Sequence, residues 1–117
     1  MRSPLPLVFL AAAADVVSLS GQWRVHSNVF GSESDRSCSF VQEHLELKGT
    51  CTSGRASESV TGRVEGKRVT WEVKTEEDGK PLTIEFTGTV ISDEKIAGTM
   101  TLVQIGVDGE FTATKAK

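Results

Sequence analysis

The chain has 117 residues, 38% of them apolar and 25% charged, with a formal net charge of −3. That length supports one domain rather than two. The apolar content and low net charge exclude a disordered chain, and the acidic balance offers no basic footprint for nucleic acid.

Residues 1–14 differ from the rest. Arg2 precedes an apolar run from Leu5 to Ala14, and Ala12, Ala13 and Ala14 stand before Asp15. A charged start, a short apolar stretch and small residues before a cut predict a secretory signal peptide at 1–14. Residues 15–117 are then one domain. The alternative is a plain N-terminal extension. The run is about ten residues, too short to span a bilayer. No later apolar run reaches that length either. A soluble, monomeric, secreted or periplasmic protein is the expectation.

From Gly21 the period is two. Trp23, Val25, Ser27 and Val29 share a face, and Gln22, Arg24, His26 and Asn28 share the other. Cys38, Phe40 and Gln42 align, then Leu47, Gly49 and Cys51. Val60, Gly62 and Val64 follow, and then Val69, Trp71 and Val73. Leu82, Ile84, Phe86, Gly88 and Val90 oppose Thr83, Glu85, Thr87 and Thr89. Ile96, Gly98, Met100 and Leu102 precede Val107, Gly109, Phe111 and Ala113. Such alternation means half-buried antiparallel strands. Gly66-Lys67 and Asp78-Gly79 are short-hairpin signals. Eight hairpin-connected strands predict an all-β, up-and-down antiparallel β-barrel, closed because closure removes exposed edges. Its wet face carries Arg, Glu, Lys and Thr, unlike an outer-membrane barrel.

A turn over Glu43–Glu46 places Gln42 opposite Leu47, Phe40 opposite Gly49 and Cys38 opposite Cys51. A Cys38–Cys51 disulfide follows, in keeping with export. A zinc site built from Cys38, Cys51, His26 and His44 would need CxxC or HxxxH spacing, and the chain has neither.

Gly49, Gly62, Gly88, Gly98 and Gly109 all fall on the inward face. Either they let a small barrel coil sharply, or they leave room for one small ligand. Loops expected at Phe30–Ser37, Ser53–Glu58 and Glu76–Lys80 are longer than the turns at the other end, with Gln104–Gly106 a short exception. A mouth is therefore placed at the longer-loop end, rimmed by Phe30, Arg55, Glu76, Glu77 and Ile105. The expected lining is Ser27, Val29, Phe40, Trp71, Val73, Ile84, Phe86, Met100, Leu102 and Phe111. This mostly greasy set suits a small hydrophobic molecule.

Gly21-Gln22-Trp23 opens the first strand. A G-x-W there, in an eight-stranded meander, resembles the calycin group of lipocalins, avidins and fatty-acid-binding proteins. The resemblance implies that a basic residue of the last strand packs over Trp23, and Lys115 stands in the right phase. Lipocalins usually use Arg, and their other loop motifs and C-terminal helix are missing. The pattern from Gly21 to Ala116 is similar to small exported bacterial barrels of lipocalin-like fold. Leu19-Ser20-Gly21-Gln22-Trp23 also resembles the start of periplasmic metalloprotease-inhibitor barrels, which implies a protease-binding segment at Asp15–Ser18.

The chain contains no HExxH, GxSxG, Walker loop, dinucleotide fingerprint or EF-hand loop. No catalytic residue, metal or cofactor is expected. His26 on the wet face and His44 in a turn have no evident buried carboxylate beside them. The expected function is binding of a small hydrophobic molecule in the interior. A protein-binding inhibitor barrel is the first alternative, and a small barrel isomerase or cyclase the second.

Overall fold

The computed structural model describes residues 18–54 and 56–116. The expected signal at 1–14, residues 15–17 of the expected protease-binding segment, and the rim residue Arg55 lie outside the described residues. Eight strands follow one another: β1 (Gly21–Val29), β2 (Ser32–Glu43), β3 (Glu46–Ser53), β4 (Ala56–Glu65), β5 (Arg68–Glu77), β6 (Lys80–Ser92), β7 (Lys95–Leu102) and β8 (Val107–Lys115). Each pairs antiparallel with its sequence neighbour. β8 returns to β1 from Trp23↔Lys115 to Asn28↔Glu110, and so closes the barrel. This is the all-β, up-and-down barrel that the alternation predicts. Closure pairs both edges that an open sheet would leave bare. The barrel is consistent with a calycin-like architecture.

The expected register around the cysteines is present. Gln42 pairs with Leu47, Phe40 with Gly49 and Cys38 with Cys51, and the two sulfurs are bonded. The inward glycines are explained by close backbone approach. A Cβ on Gly49, Gly62 or Gly98 would run into the carbonyl of Ser39, Thr70 or Thr87 on the next strand. On Gly109 it would come within 2.5 Å of the Asn28 carbonyl, and on Gly88 within 2.9 Å of the Phe111 ring. These glycines let adjacent strands coil tightly.

The loop lengths correct the sequence reading. Ser32–Ser37 belongs to β2, Ala56–Glu58 to β4, and Glu76 and Glu77 to β5. The turns there are therefore short, while the expected exception widens into the longest connection, residues 103–106. The main-chain ladder does not depend on apolar side chains, so polar stretches such as Ser32–Ser37 continue the pairing. Phe30 and Gly31 turn this hairpin with φ of 52° and 82°. Positive φ at both central positions is the tight-hairpin geometry. Here a Phe occupies a place where Asn or Asp is usual, which hid the turn. Asp78 and Gly79 adopt the same geometry with the expected residues.

Candidate functional site

The two ends of the lumen differ. At the end holding the β2–β3, β4–β5 and β6–β7 turns, the inward side chains Leu47, Val64, Val69, Val90 and Ile96 are all buried. Leu19 closes this end. It is itself fully buried. Its N–H donates to Gln42 Oε1 at 2.8 Å, and its carbonyl accepts from Trp23 Nε1 at 2.9 Å. The Ser20 hydroxyl oxygen accepts from Gln42 N–H at 2.9 Å. The Lys115 ammonium stands 5.8 Å from the Trp23 ring centroid, in the place that the calycin resemblance implies. A cation over an indole face is attracted by its quadrupole.

The middle of the lumen is aromatic. Trp71 stacks on Phe86 at 4.9 Å between centroids and meets Phe40 and Phe111 edge-on, each at 5.3 Å. Phe86 and Phe111 meet at 5.1 Å, and Phe40 touches Trp23 at 6.3 Å. These rings fill the waist of the barrel with one another, in the offset and edge-to-face arrangements that aromatic quadrupoles favour.

Above this floor the character changes. Ser27, Val73, Ile84 and Met100 are buried and face inward, as expected. At the rim, Val29, Ser53, Thr75, Leu102 and Val107 are only half-buried. A depression of about 660 Å³ lies at the outer edge of this end, beside Ala56, Ser57, Lys74, Thr75, Glu76 and Gly79, with Ser57, Lys74 and Glu76 on the wet face. The β7–β8 connection folds against the outside of β6. There Gln104 Oε1 accepts from Thr83 N–H at 2.7 Å, and Thr83 becomes buried on an otherwise wet face. Thus every expected lining residue points inward, but they divide into two sets. Phe40, Trp71, Phe86 and Phe111 pack on each other, whereas Ser27, Val29, Val73, Ile84, Met100 and Leu102 surround the upper tier.

The upper tier also holds charges that the sequence reading missed. Arg36 Nε donates to Glu58 Oε1 at 3.0 Å, and Arg36 Nη2 donates to Glu58 Oε2 at 3.4 Å. Their side chains are 11% and 2% exposed. Arg36 is in phase with Cys38 and Phe40, and Glu58 with Val60 and Val64. Extending each strand by one inward position would have placed both in the lumen. β3 lies between them, with Glu58 opposite Cys51. A buried carboxylate is tolerated here because a guanidinium engages both its oxygens.

Two further buried polar atoms, Ser27 Oγ and Trp71 Nε1, have no hydrogen-bond partner among the described residues. Ser27 pairs across the ladder with Phe111, whose ring packs on Trp71. On its other side, Ser27 is the diagonal inner-face neighbour of Arg36, which pairs with Val25. Both residues therefore neighbour Phe111.

Outside the barrel, His26 does have carboxylate partners, both exposed. Its Nδ1 is 2.7 Å from Asp35 Oδ1, and its Nε2 is 2.7 Å from Glu33 Oε1. The hydrogen bond with Asp35 and then that with Glu33 hold the imidazole pKa above its ordinary 6.5. The continuation of β2 through Glu33 and Asp35 creates this contact. The two carboxylates sit on opposite ring nitrogens, and no cluster of three or more metal-ligating groups forms among the described residues. A shallow depression of about 480 Å³ lies on the outer wall, beside Thr61, Arg63, Thr70, Glu72, Glu85 and Thr87. No helix among the described residues is long and apolar enough to cross a membrane. Comparison of the chain with protein-family models and with curated proteins finds no match.

Proposed function

We propose that this protein is an exported, lipocalin-like barrel that binds one small molecule in the upper part of its lumen, without chemistry. The carrying observation is the contrast between its ends. Leu19 stoppers one, where the inward side chains are all buried. The other presents Val29, Leu102 and Val107 half-buried around a rim. An apolar cup of this kind gains by covering those side chains, at roughly 25 cal/mol per Å² of apolar surface removed from water. The aromatic floor limits the ligand to a short one. The disulfide and the alanine-ended apolar start support export. Against the isomerase reading stands the state of Glu58, the buried lumenal carboxylate among the described residues: both its oxygens are engaged by Arg36.

The test is titration with N-phenyl-1-naphthylamine, a neutral apolar fluorophore. The folded protein should enhance its emission with saturation at one equivalent. Leu102→Arg, which puts a charge on the rim, should weaken binding at least tenfold while the fold persists. A folded protein that leaves the fluorophore unchanged overturns the proposal.

A further inference from the structure

We infer that the lumenal site selects a ligand with an uncharged hydrogen-bonding head, a hydroxyl or carbonyl group on a short apolar body, and that Ser27 reads that head. The inference rests on the ligand-binding reading above and assigns the chemistry of its site.

Two groups in the wall ask for a polar partner. Ser27 is 2% exposed and its hydroxyl has no partner among the described residues. The Trp71 indole N–H is equally buried and equally without a partner among them. Buried polar groups are almost always satisfied, and those left over mark places where a structure expects something else. A serine hydroxyl can donate and accept, while an indole N–H only donates. An oxygen acceptor suits either.

The charge of the head follows from Arg36 and Glu58. Together they are neutral, and each engages the other's charge. An incoming carboxylate would gain from Arg36 but would also meet the Glu58 carboxylate. An ammonium would meet the reverse. Either would bring a third, uncompensated charge into a poorly solvated space, where single charges are costly. A hydroxyl or carbonyl adds no charge and can accept from the guanidinium N–H groups that Glu58 leaves unused. The apolar body then lies outward along Ile84, Leu102 and Val29, with Phe111 and Trp71 beneath the head.

Displacement of N-phenyl-1-naphthylamine from the full chain at pH 7 tests this. The competitors are 1-octanol, 2-octanone, octanoate and octylamine, which share a chain and differ in head. The alcohol and ketone should displace the fluorophore at concentrations at least tenfold lower than the two ions. Ser27→Ala should weaken the alcohol three- to tenfold more than it weakens the fluorophore. Ser34→Ala, at the exposed rim of the same strand pair, should change neither. Equal displacement by neutral and charged heads would overturn the inference while the cup stands. So would a Ser27→Ala protein that binds octanol as the parent does. Failure of the fluorophore itself to bind would overturn the cup and the inference together.

Discussion

Arg36 shows how a single side chain resists reading from sequence. Its neighbours Ser34, Asp35 and Ser37 are polar, and a polar run carries no period-two signal. Only its phase with Cys38 and Phe40 marks it as inward. Removing either Arg36 or Glu58 alone would strand a buried charge, a change that typically costs about 3–5 kcal/mol. His26 was legible as a wet-face residue, but its partners were hidden for the same reason. Because its pKa is raised, His26 adds stability that is fully present below pH 6.5 and lost as pH rises through the folded-state value. His26→Gln should therefore lower the melting temperature at pH 5.5, with the deficit closing by pH 8.5. Thermal unfolding across that range checks the sign, and a deficit that grows with pH would contradict it.

At the scale of elements, the strands were largely readable and their ends were not. Alternation fixes which residues of β5, β6 and β7 face inward, because one face must be dry. Strand ends are set instead by turn conformation. Asp78-Gly79 announces itself, whereas Phe30-Gly31 adopts the same positive φ pair with an 89% exposed Phe. The N-terminal stopper was the other omission. Leu19 precedes the first strand, so periodicity is silent about it, yet it is as buried as any core residue. Truncating a buried Leu leaves a cavity and typically costs about 2–5 kcal/mol. Leu19→Ala should destabilise by that amount in urea unfolding, whereas Leu45→Ala, in the exposed β2–β3 turn, should change stability by less than about 0.5 kcal/mol. Equal effects would mean that the 18–20 segment does not seal the barrel.

For the molecule as a whole, closure and the Cys38–Cys51 link were both accessible from the sequence, since one register satisfies the hydrophobic phase and the cysteines together. A link closing a loop of this size contributes about 3 kcal/mol on the chain-entropy estimate. The division of the lumen was not accessible. Ten inward residues share one phase in the sequence, and only the folded barrel brings Phe40, Trp71, Phe86 and Phe111 into contact with one another. This solid waist moves the candidate site to the upper tier, where a serine, an ion pair and half-covered aliphatic side chains meet. The most direct test is amide and methyl chemical-shift mapping of the labelled protein during titration with 2-octanone. Saturable shifts should concentrate on Ser27, Val29, Ile84 and Leu102, leaving Leu47, Val69 and Ile96 at the stoppered end undisturbed. Shifts confined to the outer wall around Thr61, Arg63 and Glu72, or no shifts at all, would contradict the account.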